Sequence, residues 1–387
     1  MQTDTTHALT PSDNLKETLR TDDLLLNMGP QHPSTHGVLR VVVTTDGEIV
    51  KEAHPEIGYL HRCFEKHSEN VDYIAVLPYV DRLDYLASMN NSMGYAIAIE
   101  SLQGIEVPRR AEYIRVIISE LQRIASHLMS YGTYGLDMGA FTAFMYGFRD
   151  REMILDIFES ISGARLLYNY MWIGGTYRDI TPEIVQKIKD FLVYFKPKVE
   201  EYNNLVTYNK IFLERTRNIG VIDLKTCHTY GLTGVMLRGA GLKWDLRKDH
   251  PYSIYKEVEF EVPVGTGQMG TLGDCWDRHI VRMKEMLQSV RIIEQLLDGI
   301  PEGPHRAKVG KVIKPPIGEA YSRTECPRGE LGFYIISDGS GKPYRVRCKS
   351  PCFMNISTLN ELSQGVMVAD LIATIGSLDI VLGEVDR

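Results

Sequence analysis

The chain contains no Cys-x-x-Cys pair. Six cysteines, Cys63, Cys227, Cys275, Cys326, Cys348 and Cys352, are scattered over 387 residues. Iron–sulfur and structural zinc sites usually draw two thiolates from one turn or loop. No metal site is therefore expected on this chain, and free thiols in a reducing cytoplasm are the default. Cys348 and Cys352 come nearest to a pair, in a strand-like stretch interrupted by Ser350-Pro351. No apolar run approaches the roughly 20 residues needed to span a bilayer. The first residues, with Asp13, Glu17, Asp22 and Asp23, lack the basic start and apolar stretch of a secretory leader. An intracellular protein is expected, unless a partner carries it to a membrane. Lysine-rich and arginine-rich tracts are also missing, and the formal net charge is -7, which argues against a nucleic-acid partner. Gly-x-x-x-x-Gly-Lys-[Ser/Thr] and Gly-x-Ser-x-Gly do not occur. Gly-x-Gly-x-x-Gly occurs once, from Gly265 to Gly270, without the βαβ unit and later acid of a dinucleotide site. Nothing thus points to a serine hydrolase, a kinase or a dinucleotide dehydrogenase acting alone.

What is present is ordinary globular material, 44% hydrophobic, long enough to bury a sizeable core. Residues 1–22 are polar and aperiodic and are expected to form a mobile arm. Residues 23–56 predict a small antiparallel lobe: Leu24 to Leu26 and Val38 to Thr44 read as strands, and Asp46-Gly47 turns the chain into Glu48 to Glu52. From 57 to 300 the pattern is helical. Ile114, Ile117, Leu121, Ile124 and Leu128 recur at three and four residues, leaving Arg115, Glu120 and Arg123 on other faces. Leu86 to Glu100, Met153 to Ile161, Ile184 to Phe195 and Arg282 to Leu297 predict further helices of a bundle. Residues 301–387 predict a C-terminal α/β lobe returning to the centre. Its hairpin pairs Leu331 to Ile336 with Tyr344 to Cys348 across Asp338-Gly339-Ser340-Gly341, and short helices follow around Leu359 to Ser363 and Met367 to Ile375. The fold class is α+β, mostly helical.

Three polar clusters can carry chemistry. Asn27 to Gly37 holds His32 and His36 in a segment with two prolines and two glycines, which precludes a helix and favours a fixed loop. Such a loop can present imidazoles from a rigid sheet; equally, both rings can simply hydrogen-bond the turn. A zinc site is not expected there, since His-x-x-x-His needs a helix to share a face. Tyr79 to Tyr85 carries Asp81, Arg82 and Asp84 before a helix that either acid can cap, with a local salt-bridge network as the structural alternative. Tyr134 to Gly139 places Asp137 in a glycine-flanked loop after the core helix, where turn formation is the ordinary role of an Asp.

Taken together, these clusters resemble the D-type subunit of NADH:quinone oxidoreductase, the 49-kilodalton or H-type member of complex I. Asn27 to Arg40, Gly58-Tyr59-Leu60-His61-Arg62, Arg82-Leu83-Asp84-Tyr85 and Pro108 to Arg115 match in order. So do Arg123 to Leu128, Phe148 to Glu152, Trp244 to Lys248, Arg328 to Gly332 and the ending Leu378 to Arg387. The resemblance spans nearly the whole chain after the first twenty-odd residues. It implies the fold of the nickel–iron hydrogenase large subunit, a relative whose two Cys-x-x-Cys pairs hold metal. Here those pairs would fall near Arg82 to Tyr85 and Asp379 to Gly383, where there is no cysteine. Hydrogenase chemistry therefore fails on its ligands.

By resemblance, the cavity takes a quinone headgroup beside a terminal iron–sulfur cluster held by a partner. His36 and Tyr85 are implied as the proton donors, with Asp137 pairing the histidine; imidazole and phenol can both hydrogen-bond quinone carbonyls. His32, Arg82, Met129, Asp379 and Val381 are implied to line or support the cavity, and Arg62 to lie near the partner's cluster. Two positions depart from many relatives: Leu167 replaces a histidine and Trp172 an arginine. Losing that imidazole and that charge predicts a cluster of lower and less pH-dependent potential, suited to menaquinone. Cys63 stands where relatives usually have glycine or threonine, and reads as a packing variant. The chain itself is expected to bind no cofactor. Implied partners are the B-type subunit that carries the terminal iron–sulfur cluster, the C-type subunit, other peripheral-arm subunits carrying flavin and clusters, and the quinone-channel membrane subunit. They hold the chain at the cytoplasmic face of a bacterial inner membrane. The alternative is a non-catalytic scaffold in a hydrogenase-like membrane complex, for which His36, Tyr85 and Asp137 would be free to drift.

Overall fold

Val41 and Val43 are fully buried while their neighbours along the strand are not, the period of a sheet with one covered face. In the computed structural model, which describes residues 23–387, they lie on the central strand of an antiparallel sheet ordered β1 (Leu24–Met28), β2 (Arg40–Asp46), β3 (Ile49–Glu56). The expected mobile arm at 1–22 falls outside the described residues. Pro55 is tolerated because β3 is an edge strand. The C-terminal segment covers that edge through Val50 N–H to Val366 O (2.8 Å) and Ala53 N–H to the Asn360 side chain (3.0 Å).

Five long helices form the centre: α1 (Ser88–Gln103), α2 (Arg109–Asp137), α3 (Phe141–Ser162), α4 (Pro182–Tyr202) and α5 (Cys275–Leu297). Helix α2 packs on α1, α3 and α5, and α4 closes the bundle against α3 and α5. The expected apolar stripe of α2 is buried throughout. Arg115, Glu120 and Arg123 are buried as well. Their faces meet protein rather than water: Arg115 pairs with Glu100 at 3.0 Å, Glu120 with Arg247 at 3.1 Å, and Arg123 donates to Glu325 O at 2.5 Å. A polar residue enclosed on every side survives burial only with such partners.

A two-residue ladder, β4 (Met171–Trp172) with β5 (Gly175–Thr176), interrupts the helical region. The C-terminal hairpin forms as β7 (Gly329–Ser337) and β8 (Arg345–Lys349), with β6 (Gly318–Cys326) added on its other side. Strand β6 was not anticipated because Glu319, Ser322, Arg323 and Glu325 give it no apolar alternation. Its polar groups are met inside, Ser322 by Gly94 O (2.8 Å) and Glu325 by Arg238 (2.7 Å). Residues 348–352 are not an interrupted strand, either. The Ser350 hydroxyl accepts the Phe353 N–H at 3.2 Å and starts α6 (Pro351–Ser357), with proline in its favoured first turn. Helices α7 (Val368–Leu378) and α8 (Leu382–Asp386) finish the chain. The Asp386 carboxylate, accepting Gly58 and Leu60 N–H at 2.9 and 2.7 Å, ties that end to the segment after β3. The architecture is α+β and mostly helical, as the sequence predicts. Among the described residues no helix is long and apolar enough to cross a membrane.

Candidate active site

The loop between β1 and β2 turns at Gly29, whose φ of 88° and whose approach to Leu39 O leave no room for a side chain, since a Cβ would stand 2.0 Å from that oxygen. The two histidines then part company. His32 does hold the turn, its Nδ1 accepting Ser34 N–H at 3.2 Å. His36, in left-handed backbone conformation at φ 52°, reaches out of the loop instead. Its Nε2 lies 2.6 Å from Asp137 Oδ2, and the side chains are only 14% and 7% exposed.

Asp137 is not in a loop. It is the last residue of α2, and Met129, Thr133 and Asp137, four residues apart, form a half-buried stripe that continues from the fully enclosed stretch Ile114 to Leu128. Gly376 on α7 leaves the space that Asp137 and Tyr134 occupy: a Cβ there would stand 2.9 Å from Asp137 Oδ2 and 2.7 Å from the Tyr134 ring. Burial disfavours charge on His36. The Asp137 hydrogen bond and charge, with a contribution from Asp379, outweigh burial and a nearby Arg328, so the imidazole's pKa is raised above its usual value.

The segment before α1 is not a local salt-bridge network. Arg82 turns outward and donates to Pro78 O at 2.5 Å. Asp81 accepts Asn169 N–H at 2.6 Å and the Ser92 hydroxyl. Neither acid is the helix cap, a position taken by Ala87. Asp84 faces inward to Arg328 (2.8 Å), a residue 244 positions later. Arg328 sits in the two-residue turn between β6 and β7, buried rather than solvated. It also donates to Asp379 O (2.8 Å), Asp379 Oδ1 (3.2 Å) and Ser126 (2.9 Å). Asp379, at φ 51° beyond the end of α7, is held in that strained conformation by this grip. On its other side, Asp379 Oδ2 lies 3.7 Å from Arg282 Nε.

His36 feels Asp379 and Arg328, and Tyr85 feels Asp84 and Arg328. The imidazole and the phenol therefore share the electrostatic field of one Asp84–Arg328–Asp379 triad. Tyr85 is half-buried, and burial together with the Asp84 charge raises its pKa. Unlike Tyr95, whose hydroxyl donates to Tyr73 O at 3.1 Å, the Tyr85 hydroxyl makes no hydrogen bond with any described residue. It packs against the apolar cluster that includes Val381, Leu382 and Cys352. Val381 is buried, with its N–H toward Cys352 Sγ at 3.4 Å. Arg62 and Arg82 share an outer pocket of about 250 Å³ with Phe64, Tyr79, Leu83 and Gly383, and Arg62 donates to Arg82 O at 2.7 Å.

The structure thus brings His36, Tyr85, Asp137 and Asp379 around one charged centre, with Met129 on the adjoining helix face and Arg62 and Arg82 at its outer edge. Sequence reasoning missed Arg328, Arg282 and Glu384. A charge at a hairpin tip reads as solvated, and only the three-dimensional return of the C-terminus buries it. Elsewhere, the Gly265–Gly270 motif is coil, and Gly267 N–H points at the Asp277 carboxylate (3.1 Å), so a side chain of this chain holds the place an anion would take. Trp172 carries the Arg306 guanidinium 4.7 Å over its ring. Among the described residues no group of three or more histidine, cysteine, aspartate or glutamate side chains is arranged to hold a metal ion.

The family profile described as respiratory-chain NADH dehydrogenase, 49 Kd subunit, matches residues 137–316 and 307–387. Proteins named as the D subunit of NADH-quinone oxidoreductase are similar over nearly their full lengths. That of Chlorobaculum tepidum is 54% identical over 377 residues, covering 96% of this chain and 94% of that protein. That of Pelodictyon phaeoclathratiforme is 55% identical with the same coverage. That of Chlorobium luteolum is 55% identical over 383 residues, covering 97% of each.

Proposed function

The chain belongs to the family of the 49 Kd subunit of respiratory-chain NADH dehydrogenase, a part of an oxidoreductase that works with other subunits of complex I, and from that premise we propose that it supplies the protonating half of the quinone site. Electrons arrive from a cluster in the B-type partner. Protons come from this chain, one from the His36 imidazolium and one from the Tyr85 phenol. The observation that carries this reading is the 2.6 Å His36–Asp137 contact beside the Asp84–Arg328–Asp379 triad, with the unengaged Tyr85 phenol in the field of the same triad.

The chemistry follows from the charges. As a quinone gains electrons its carbonyl oxygens become strong acceptors, so a donor aimed at them binds the reduced state more tightly than the oxidised one. Asp137 favours imidazolium before transfer and draws a proton back afterwards. Arg328 is fully engaged by two acids, which fixes Asp84 and Asp379 instead of releasing a mobile charge into the site. His32 fixes the loop, while Met129 and Val381 present apolar surface to the ring. Arg62 and Arg82, at the outer pocket, face the side from which the partner's cluster approaches.

Menaquinone is the substrate this reading favours, on the strength of Leu167 and Trp172 at the positions where many relatives use histidine and arginine. Attachment to the cytoplasmic side of the inner membrane is through partners, including the C-type subunit and the quinone-channel membrane subunit, while NADH oxidation at flavin occurs in other subunits. Tyr85→Phe in membranes tests the proposal. Quinone reduction falls sharply while electron transfer from NADH to an artificial acceptor upstream is retained. Unchanged quinone reduction removes Tyr85 from the chemistry and favours the scaffold alternative.

A further inference from the structure

Glu384, on α8, is fully buried, and neither carboxylate oxygen has a hydrogen bond of good geometry, the thiol and backbone N–H of Cys352 being the donors that approach it. Two other buried acids, Glu120 and Glu285, are paired with Arg247 and Arg238. An ionised carboxylate without such partners is strongly disfavoured, and the neutral acid is the form that tolerates the site.

Its surroundings explain why no cation reaches it. Asp84 faces it from the segment before α1 with a like charge, and Arg328 faces it from the β6–β7 turn with its guanidinium already committed to Asp84, Asp379 and Ser126. Three thiols complete the shell: Cys326 from the end of β6, Cys348 from β8 and Cys352 from α6, each held protonated by burial and by the acid's proximity. On its own helix, Asp386 is taken by Gly58 and Leu60 N–H, and Arg387 donates to Cys348 O at 3.1 Å. The Arg62 guanidinium lies beyond Gly383 and donates to Arg82 O. Burial first, then the Asp84 charge, pushes the Glu384 carboxyl up to about 8.

The acid and Tyr85 share neighbours. Asp84, Arg328 and Cys352 act on both, and Tyr85 packs against the cluster that contains Leu382 and Val385 of the same short helix. We infer that Glu384 is the proton reserve behind Tyr85, returning a proton to the phenolate after Tyr85 has given its own to the reduced quinone. This rests on the quinone reading above. The balance is simple. The Tyr85 O–H bond breaks as an O–H forms on the quinone oxygen that has received electrons from the partner's cluster. The Glu384 O–H then breaks as the Tyr85 O–H re-forms, and solvent re-protonates the carboxylate before the next turnover. A phenolate beside Asp84 is a stronger base than this carboxylate, so the transfer runs downhill.

The test uses the assembled complex in membranes, a soluble menaquinone analogue, and the upstream acceptor reaction as the assembly control, across pH 6 to 9. Wild-type quinone reduction shows an alkaline limb near pH 8, where the acid empties. Glu384→Gln lowers the rate by about tenfold or more and abolishes that limb, whereas Glu384→Asp keeps it. Upstream activity is unchanged in both. Wild-type rate and wild-type pH profile in Glu384→Gln overturn the inference. Should that variant fail to assemble, infrared spectroscopy of the wild type and Glu384→Asp decides: a protonated carboxylic acid C=O band at neutral pH that fades through pH 8 and moves in the aspartate variant supports the reserve, and its absence overturns it. Tyr85→Phe run in parallel separates the two levels. If that variant reduces quinone normally, the quinone reading itself fails; if it is inactive while Glu384→Gln is normal, only the reserve fails.

Discussion

Replacing Asp137 by Asn isolates what holds the proton on His36. The substitution keeps the shape and the possible hydrogen bond but removes the negative charge 2.6 Å from Nε2. In the native chain burial is the largest influence and opposes the imidazolium; Asp137, seconded by Asp379, overcomes it. Without Asp137, burial and the Arg328 charge face Asp379 alone, and the balance turns against the imidazolium. A hydrogen bond to a charged group is worth about 1.5–3 kcal/mol, and each 1.36 kcal/mol is about tenfold in rate. Quinone reduction at pH 7 should therefore fall about ten- to a hundredfold. The sign of the pH dependence follows. A raised histidine pKa means that the proton is held below the unfolded value near 6.5 and is lost as pH rises through the higher folded one. The alkaline limb belonging to His36 thus moves to lower pH in Asp137→Asn, so part of the activity returns on acidification. The assay is quinone reduction from pH 5.5 to 9, with the upstream acceptor reaction as control. An unchanged alkaline limb in the variant would show that Asp137 does not hold the proton on His36.

Gly376→Ala tests the same pair without substituting either member. The new methyl meets the Tyr134 ring and Asp137, which costs about 1–3 kcal/mol of stability by overpacking and displaces the carboxylate, so the pH profile should resemble that of Asp137→Asn; a wild-type profile would refute the packing claim. Arg328→Met strands Asp84 and Asp379 in the interior. Breaking a buried pair costs about 3–5 kcal/mol, so complex should accumulate poorly in membranes, and normal accumulation would contradict the role given to the triad. Because Leu167 replaces an imidazole, the partner's terminal cluster should titrate with a weak pH dependence, and a steep one in redox potentiometry would sink the menaquinone assignment.

The helical bundle was legible because burial writes a period into sequence, as in Ile114 to Leu128. The polar strand β6 was not, since its side chains are satisfied by distant partners such as Arg238. Asp137 shows how local signals mislead. Gly135 reads as a loop glycine, yet it and Gly132 are packing residues: a Cβ at Gly132 would stand 3.3 Å from Phe144 Cα, and one at Gly135 2.8 Å from the Ala143 Cβ. They let α3 lie close against the last turns of α2, and so the helix runs on to deliver Asp137. Pairing of that residue with His36, 101 positions away, left no local trace and came only from the resemblance. Arg328 and Glu384 were invisible for a related reason. A charged residue is read as solvated unless its burial partners are known, and those of Arg328 come from three separate stretches of chain, at Asp84, Ser126 and Asp379. Ser350-Pro351, by contrast, was a helix start in plain sight, overlooked beside a preceding strand.

The central claim is that a quinone headgroup lies between His36 and Tyr85 on this chain. Photolabelling the assembled complex with a menaquinone analogue that carries a reactive group on its ring, followed by mapping of the labelled peptides, tests it directly. Label in the segments 32–37 and 82–86, lost in the presence of excess unmodified quinone, is the predicted result. Label confined to other subunits, with none on these two segments, would contradict it.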